Sequence, residues 1–358
     1  MKVLEYLSKI EEEGYEAYIV GGYVRDYILG YESTDIDITT NASPREIAKI
    51  FDLKVSDELG CINIKSSKYN IDITTFRKES SYFGHRPKKV SYVNDLLTDL
   101  KRRDFTINTI CMNSKGEIID LLNGQNDLKN KELKVVGKVK KKFMEDPLRM
   151  LRALRFSIVY DLKMGEEELM FILNNKRLFE SISYDRKKEE IGKILISENV
   201  LKGLDFLKTL NILEVLEIDY PIGMVASGDY IGMWAQLKYS DNYKFSKVEN
   251  ERLNNIREIL NNQEIDEMVL FKYGLYDTLV GAKILGVDAG DVNEMYKSMQ
   301  IHSEDELAIK GNDIKDILGI PSGPKIKEIK DDLICKIVSG NLSNKKESLT
   351  LYLKENWK

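Results

Sequence analysis

The stretch IVGGYVRDYILGYESTDIDITT, from Ile19 to Thr40, places two carboxylates two residues apart within an apolar run. Asp35 and Asp37 alternate with isoleucines, which predicts a β-strand. Because side chains on a strand point alternately to opposite faces, the two aspartates share one face while the isoleucines face the core. Two carboxylates at that spacing repel each other unless a cation lies between them. The pattern therefore predicts a divalent-metal site on this strand.

The oxygen ligands of such a site favour Mg²⁺, which proteins usually hold with one or two carboxylates and substrate phosphates. Two such ions can bind both the attacking and the leaving oxygen of a phosphoryl transfer. A solvated strand face without a ligand is the alternative interpretation of the pair. Asp72, at an alternating position of a later strand, is either a third metal ligand or an exposed strand residue.

Upstream of the aspartates, a predicted strand ends at Gly21-Gly22 and a predicted helix begins. Backbone N–H groups and the positive end of the helix dipole favour an anion at such a point, and glycine lets a phosphate approach. Arg25, in the first turn, adds a charge that a triphosphate can engage. A tight turn without a ligand is the alternative. With the aspartates, this unit predicts a triphosphate site beside its metal ligands.

The composition of the whole chain is that of an ordinary soluble protein, with 358 residues, 42% of them hydrophobic and 32% charged. This length favours two or three domains. The N-terminus lacks the apolar segment of a signal peptide, and no apolar run reaches the ~18 residues of a membrane span. Three widely spaced cysteines without a CxxC pair indicate reduced thiols and a cytoplasmic location.

The net charge of −5 neither predicts nor excludes nucleic-acid binding, because binding requires only a local basic face. Lysines are concentrated in two stretches. Leu133–Phe143 carries five lysines and no acid, and Lys325–Lys358 carries eight lysines against five acids. Because a charge run is usually a solvated face, these stretches support nucleic-acid binding only weakly.

Two periodicities divide the chain. Residues 1–140 predict short strands and helices, including a helix closed by Gly30, a helix capped by Ser43 with Pro44 in its first turn, and a hairpin around a Ser-Ser turn. From about Pro147 onward, apolar residues recur at helical spacing almost without interruption. We therefore expect an α/β head followed by a long helical remainder.

The first long helix of that remainder carries a charged stripe. Asp146, Arg149, Arg152 and Arg155 recur every third residue, next to a parallel stripe of leucines. Three arginines on one stripe repel each other unless an anion lies nearby, and a nucleotide would serve. The alternative is an Asp146 that caps the helix, with Pro147 at its first position and solvated arginines.

An Asp–Arg pair on this helix can read a base. A carboxylate accepts from the exocyclic amino group of cytosine or adenine, and a guanidinium donates to the adjacent ring nitrogen. Uracil and guanine present a carbonyl in place of that amino group, so a fixed carboxylate rejects them. Unpaired buried polar groups support discrimination of ~10⁴ or more.

Three motifs, in order, resemble those of class II nucleotidyltransferases and specifically of CCA-adding enzymes (tRNA nucleotidyltransferases), within the poly(A) polymerase superfamily. The first comprises Gly21-Gly22, VRD, Leu29-Gly30 and DIDITT. LKRRDFTIN (Leu100–Asn108) resembles the second motif, and EDPLRMLRALRF (Glu145–Phe156) resembles the nucleotide-selecting motif. LAIKGNDIKDILGIPSGPKIKEI, near the C-terminus, resembles the tail of the Gram-positive-type enzymes.

The resemblance implies an α+β fold in which a small mixed-sheet nucleotidyltransferase head precedes an all-α neck, body and tail. The implied bounds are 1–138 for the catalytic head, 139–200 for the neck, 201–300 for the body and 301–358 for the tRNA-binding tail. Asp35 and Asp37 would be catalytic and bind Mg²⁺. The implied nucleotide-binding residues are Gly22, Arg25, Arg103, Asp146, Arg149, Arg152 and Arg155.

The implied activity is the Mg²⁺-dependent, template-independent addition of CMP and AMP to the 3′ end of tRNA, with pyrophosphate released. The implied partners are the tRNA acceptor end, CTP and ATP, with no membrane and no DNA. Bacterial poly(A) polymerases usually replace the second glycine and VRD with more basic residues, whereas this chain keeps the CCA-type pattern. With only two histidines and no His-Asp pair, the HD phosphohydrolase domain of some relatives is excluded.

One segment departs from the family pattern. Tyr82–Pro87 reads YFGHRP, where the family usually carries a loop of the type Y-x-D-G-R-R-P that bears on the switch from CTP to ATP addition. A CC-adding or A-adding enzyme therefore stays open. A poly(A) polymerase is a further alternative within the enzyme class, and a non-catalytic RNA-binding protein that keeps the head as a scaffold is an alternative against which the paired aspartates, the glycine pair and the arginine stripe argue. We expect His85 to be a loop surface residue.

Overall fold

The computed structural model describes residues 3–53, 61–66, 68–83 and 86–357, and only the backbone of 80–83 and 86–88. The chain forms two compact units, Met1–Glu217 and Ile218–Lys358. The fourfold division into head, neck, body and tail stays a prediction. Gly84 and His85, which belong to the loop that departs from the family pattern, lie outside the described residues.

A six-stranded mixed sheet forms the first part of unit 1. In the order β3-β4-β2-β1-β7-β8, β2 and β4 are parallel and the other neighbours are antiparallel. Strands β5 and β6 form a separate antiparallel hairpin. The bounds are β1 Ala17–Val20, β2 Asp35–Thr40, β3 Ile62–Lys65, β4 Asn70–Thr75, β5 Arg77–Phe83, β6 Arg86–Tyr92, β7 Cys111–Met112 and β8 Ile118–Ile119. The predicted mixed-sheet head is confirmed.

The helices around this sheet begin and end where local chemistry predicts. The C-cap of α2 is Gly30, in the left-handed region at φ 79°, where glycine is favoured. Ser43 forms a capping box with Glu46 before Pro44 at the start of α3. The bounds are α1 Val3–Glu12, α2 Gly22–Leu29, α3 Pro44–Ile50, α4 Leu96–Arg102, a 3₁₀ turn Thr106–Asn108 and α5 Gly124–Lys129.

The rest of unit 1 is helical apart from one short parallel pairing of two-residue strands, β9 with β10. Helix α7 buries the predicted leucine stripe, with Leu148 8% exposed and Leu151 and Leu154 fully buried. The bounds are β9 Glu132–Leu133, α6 Val139–Glu145, α7 Leu148–Val159, β10 Lys163–Met164, α8 Glu166–Asn174, a 3₁₀ helix Lys176–Ser181, α9 Tyr184–Leu195, α10 Val200–Thr209 and α11 Ile212–Val215.

Unit 2 is also helical, with one two-residue antiparallel pairing between β11 and β12. Its longest helix, α14, is interrupted at Gly274, whose backbone is non-helical at φ 74° and ψ 166°. The bounds are β11 Ile218–Asp219, α12 Tyr230–Gln236, β12 Lys238–Tyr239, α13 Lys247–Asn262, α14 Glu267–Leu285, α15 Ala289–Ser298, a 3₁₀ turn Glu304–Glu306, α16 Gly311–Leu318, α17 Pro324–Val338 and α18 Lys346–Asn356.

Unit 2 has an aliphatic core of its own, which includes Leu270, Ile309, Ile329 and Leu349, all fully buried. The α+β fold predicted from the sequence, with a sheet-containing head followed by helices, is confirmed. Within the described ranges, none of the helices combines the length and the apolar character needed to cross a membrane.

Candidate active site

A cleft of about 590 Å³ in unit 1 brings together the two aspartates of β2 and all the predicted nucleotide-binding residues, whereas Asp72 is not part of its lining. Its walls come from the β1–α2 turn, strand β2, the end of α4 and helices α7 and α9. The lining residues are Gly21, Gly22, Arg25, Asp26, Ser33, Asp35, Asp37, Glu79, Arg102, Arg103, Asp104, Asn108, Asp146, Leu148, Arg149, Arg152, Arg155, Phe156, Arg186 and Lys193. Segments that are far apart in the sequence therefore form one polar site.

The two aspartates of β2 lie on the solvent side of the sheet. Asp35 and Asp37 are exposed, whereas Ile36 and Ile38 are at most 1% exposed. Asn70, which lies opposite Asp35 on the neighbouring strand β4, donates its side-chain N–H to Asp35 Oδ1 at 3.0 Å.

Although the surface of Asp37 is exposed to the cleft, the surrounding walls reduce its hydration and raise the pKa of its carboxyl group. The Arg103 guanidinium opposes this effect, and the carboxylates of Asp72 and Asp35 add to it. The site therefore favours a bound cation.

Asp72 lies opposite Asp37 in the parallel pairing of β2 and β4, so the two side chains share a face. Its Oδ1 accepts from Asn63 Nδ2 at 2.7 Å. Over the part of the chain that the structure describes, there is no group of three or more His, Cys, Asp or Glu residues that could hold a metal. An ion at Asp35 and Asp37 therefore needs further ligands from the substrate, as is usual for Mg²⁺.

The glycine turn leads from β1 into the cleft. Gly21 has φ 82°, a value that side-chain-bearing residues rarely adopt. A Cβ at Gly21 would lie 3.6 Å from both Asp37 Oδ2 and Arg103 Nη1. The turn, strand β2 and Arg103 are therefore in close proximity. Helix α2 begins at Gly22, so its N-terminal end, where backbone N–H groups favour an anion, lies beside them.

Arg25 is buried and bonded largely to the protein. Its guanidinium donates to Asp26 at 2.8 and 2.9 Å, to Asn108 at 2.6 Å and to the Tyr160 hydroxyl at 2.6 Å. It also lies over the ring of Tyr160, with 4.4 Å from its central carbon to the ring centroid. These contacts hold α2 against the 3₁₀ turn that contains Asn108 and against Tyr160, the residue after α7. Arg25 lines the cleft, and its predicted contact with the nucleotide stays a prediction.

Two arginines at the end of α4 share one buried carboxylate. Asp99, fully buried, accepts from Arg102 at 2.9 Å and from Arg103 at 3.3 Å. Burial opposes ionisation of Asp99, but the two guanidiniums outweigh it and lower the pKa of that carboxyl group. The buried Nε of Arg103 has no hydrogen-bond partner among the described residues. An unsatisfied buried donor of this kind is costly. Because this atom is not accessible, a ligand in the cleft would contact Arg103 through other atoms of its side chain.

The charged stripe of α7 meets protein carboxylates. Arg152 donates to Asp104 at 2.8 Å, and Arg155 pairs with Glu190 at 2.5 Å. Burial disfavours the charged form of Asp104. The Arg152 charge and the hydrogen bonds from Asn108, the Phe105 N–H and Arg152 together outweigh burial and lower the pKa of this carboxyl group. The stripe therefore does not by itself require a nucleotide to balance its charge. The predicted nucleotide contacts of Arg152 and Arg155 stay predictions.

Asp146 lies between α6 and α7 rather than on the helix stripe. Its Oδ1 accepts from the Leu148 N–H at 3.1 Å, so it contributes to capping α7. The N-cap residue itself is Pro147, one residue later than the alternative interpretation predicted. Pro147 follows with helical angles, φ −56° and ψ −23°. Asp146 also pairs with Arg186 of α9 at 3.0 Å. The Asp146 carboxylate therefore both caps α7 and lines the cleft.

Sequence reasoning missed Arg186, which lines the cleft. It also missed Lys142 and Glu190, which lie outside the lining and contact Arg103 and Arg155. Lys142 belongs to a lysine run that is typical of a solvated face, yet it is only 7% exposed. Arg186 and Glu190 lie in the highly charged segment YDRKKEE, which has the same appearance. The sequence offers one indication that Arg186 and Glu190 share a role: a separation of four residues places both on one side of a helix.

The fold and the cleft together define a nucleotidyltransferase: a mixed sheet with exposed paired aspartates beside a glycine turn, followed by arginine-bearing helices. The family model of the Poly A polymerase head domain matches residues 17–134, and that of tRNA nucleotidyltransferase domain 2 matches residues 235–353.

Similar proteins narrow this class. The CCA-adding enzyme of Limosilactobacillus reuteri is 34% identical over 94% of this chain and 92% of its own. That of Streptococcus gordonii is 33% identical over 99% of this chain and 97% of its own. The crystal structure of the Bacillus stearothermophilus CCA-adding enzyme in complex with CTP superposes with a TM-score of 0.85 at 27% identity, covering 99% of this chain and 98% of that one. The chain belongs to the family of CCA-adding enzymes, which confirms the predicted family and enzyme class.

Proposed function

We propose that this chain adds CMP, CMP and AMP in turn to the 3′ end of tRNA, using CTP and ATP without a nucleic-acid template. The observation that carries the proposal is the presence in one cleft of two groups of residues. Asp35 and Asp37 are exposed on β2, and Asp146 and Arg149 lie on the wall formed by the start of α7. The first group suits nucleotidyl transfer, and the second suits recognition of a base.

Asp35 and Asp37 would hold Mg²⁺, because two exposed carboxylates on one strand face fit this ion when substrate phosphates complete its ligands. A bound Mg²⁺ supplies charge neutralisation at the phosphate oxygens. The glycine turn leaves room for the triphosphate, and Gly22 N–H and Arg103 would contact it. The 3′-hydroxyl of tRNA attacks the α-phosphorus in line and pyrophosphate leaves, so the protein mainly positions the substrates.

Asp146 and Arg149 would select the base, and Arg152, Arg155 and Arg25 would support that wall of the cleft. A cytoplasmic location belongs to the same proposal, since the substrate is tRNA. The three cysteines are all free thiols, which agrees with a reducing compartment.

The test is incorporation on tRNA transcripts that end at the discriminator base, after one C, or after CC. We expect CTP alone to add only C residues, ATP alone to extend only the CC-ended tRNA by one A, and both to give CCA and then stop. Additions confined to C or to A would identify a CC-adding or A-adding enzyme. Long A tails would identify a poly(A) polymerase, and no incorporation with intact RNA binding would identify a scaffold.

The metal is tested in the same assay. Chelation should abolish incorporation, and added Mg²⁺ should restore it. Full activity after thorough chelation would contradict the assigned role of Asp35 and Asp37.

A further inference from the structure

The carboxylate of Asp146 is restrained from two sides. The Leu148 N–H donates to Oδ1 at 3.1 Å, while Arg186 donates from Nη1 to Oδ1 at 3.3 Å and from Nη2 to Oδ2 at 3.0 Å. Arg186 lies on α9, 40 residues further along the chain. Two N–H groups of one planar guanidinium therefore fix both carboxylate oxygens, which is the most directional form of this interaction.

Arg149, the neighbour expected to act with Asp146, is directed elsewhere. Its Nη1 donates to Glu145 and to the Lys142 carbonyl, both at 3.1 Å. Its Nη2 approaches the Arg102 carbonyl at 3.4 Å. The guanidinium that the fold places on Asp146 is therefore that of Arg186.

The Asp146–Arg186 pair is accessible to a ligand. The side chain of Arg186 is 27% exposed and that of Asp146 14%, and both line the cleft that holds Asp35 and Asp37. A guanidinium carries five N–H groups, and two of them serve Asp146. Arg186 can therefore hold the carboxylate and still face a base.

We propose that Arg186 determines base specificity by holding the Asp146 carboxylate in a fixed orientation at the base edge. This inference rests on the proposed function, in which Asp146 accepts from the amino group of cytosine or adenine. A carboxylate that cannot turn keeps an oxygen facing the carbonyl oxygen of uracil or guanine, and the repulsion between these two acceptors excludes both bases. A carboxylate released on one side rotates about its side-chain bonds and no longer excludes that carbonyl.

The test compares Arg186→Ala and Arg186→Lys with the wild type, using kcat/KM for all four nucleotides on tRNA. For Arg186→Ala we expect the CTP-to-UTP and ATP-to-GTP ratios to fall by about tenfold or more, a change of ~1.4 kcal/mol in relative transition-state binding. Arg186→Lys should recover only part of each ratio, since an ammonium cannot bind both oxygens in a fixed plane.

Arg177→Ala is the matched control. Arg177 is an exposed arginine outside the cleft lining, so the same change of charge should leave both ratios at their wild-type values. Melting curves of every variant, with Arg186→Gln as a second substitution, separate a loss of fold from a loss of selectivity.

Three results would overturn the inference: ratios for Arg186→Ala within about twofold of wild type, an equal loss of rate for all four nucleotides, or a further loss of selectivity when Arg186→Ala is added to Asp146→Ala. The wild-type arm tests the proposed function separately, because it asks whether CMP and AMP are added to tRNA at all. Competition binding of CTP and UTP without tRNA gives a readout of the pair that does not depend on catalysis.

Discussion

Lys142 donates from its ammonium group to the backbone carbonyl oxygen of Arg103 at 2.9 Å. The same group donates to the Lys101 carbonyl at 2.8 Å. The last carbonyls of a helix lack partners within it and form the negative end of its dipole. Lys142 of α6 therefore caps the C-terminus of α4 and fixes the backbone that carries Arg103 into the cleft.

Replacing Lys142 by methionine tests this capping role. Lys142→Met keeps most of the side-chain volume but leaves two carbonyls without their charged donor, so we expect the free energy of unfolding to fall by ~1.5–3 kcal/mol. Incorporation should slow as well, because the Arg103 backbone is released. Urea unfolding and single-turnover rates measure both effects. Lys141→Met, at a neighbouring lysine whose side chain is 73% exposed, is the control and should change neither. Equal behaviour of the two variants would contradict the capping role.

Lys142 also predicts how stability depends on pH. Burial, with a smaller effect from the nearby Arg149 charge, lowers the pKa of Lys142 from its usual 10.5 to about 8 in the folded protein. Between these two values the unfolded chain binds more protons than the folded one, so the free energy of unfolding gains a positive contribution as pH rises. Below about pH 8 Lys142 is protonated in both the folded and the unfolded state, so the folded protein bears the full cost of burying its charge.

The measurement is the difference in unfolding free energy between the wild type and Lys142→Met at several pH values. From about pH 8 to about pH 10 the wild type should gain up to ~3 kcal/mol relative to the variant, because tyrosines and thiols common to both proteins cancel. A constant difference across that range would show that the pKa of Lys142 is not lowered.

The metal-binding role of the strand aspartates is tested by Asp35→Ala and Asp37→Ala. Each should abolish incorporation and leave the melting temperature unchanged or slightly raised, because the two carboxylates repel each other and neither belongs to the core. Retention of more than about a hundredth of the wild-type rate, a loss of only ~2.7 kcal/mol, would disprove the metal-ligand role. Asp205→Ala, at an exposed aspartate of α10, is the control and should be fully active.

Local periodicity in the sequence predicts the elements of the head and the position of the aspartates. The alternation of Asp and Ile in β2 matches the observed burial residue by residue. The glycine turn, the cap at Ser43 and the buried leucines of α7 are equally local features, and each lies where the sequence predicts it. Such features depend on neighbours within about one turn or one strand, which a single sequence displays.

The partners of the arginines could not be predicted in this way. Arg152 meets Asp104 across 48 residues, and Arg155 meets Glu190 across 35. These pairs depend on how α7 packs against the end of α4 and against α9, and helical spacing carries no information on that packing. Carboxylates that lie outside α7 therefore balance the repulsion predicted among the three arginines of the stripe.

Binding of tRNA should depend strongly on salt. If phosphate contacts come mainly from lysine-rich segments, each neutralised phosphate releases counterions and contributes ~0.7–0.9 to the slope of log K against log salt. Affinity should be the same for tRNAs with different anticodons, since an end-adding enzyme accepts every tRNA. Filter binding over a salt series with two isoacceptors measures both properties. A flat salt dependence, or a strong preference for one tRNA, would count against this mode of binding.

Asp146→Ala separates base selection from helix capping. Asp146 contributes to both in the structure: its carboxylate accepts from the Leu148 N–H at 3.1 Å and faces the cleft. Loss of the cap should lower stability by ~1 kcal/mol. Loss of the acceptor removes the partner of the amino groups of C and A together with the group that repels the carbonyls of U and G. Incorporation of UMP and GMP should therefore rise relative to CMP and AMP, while the metal site is unaffected.

The control for this variant is Asp266→Ala, because Asp266 caps α14 in unit 2 through the Val269 N–H at 2.8 Å. Its loss should cost similar stability and leave base preference unchanged. Relative incorporation of all four nucleotides, measured beside melting curves of both variants, isolates the effect at the base edge. If Asp146→Ala lowers the melting temperature as Asp266→Ala does and keeps wild-type preference, Asp146 acts as a helix cap alone, and selection of the base must come from other residues of the cleft.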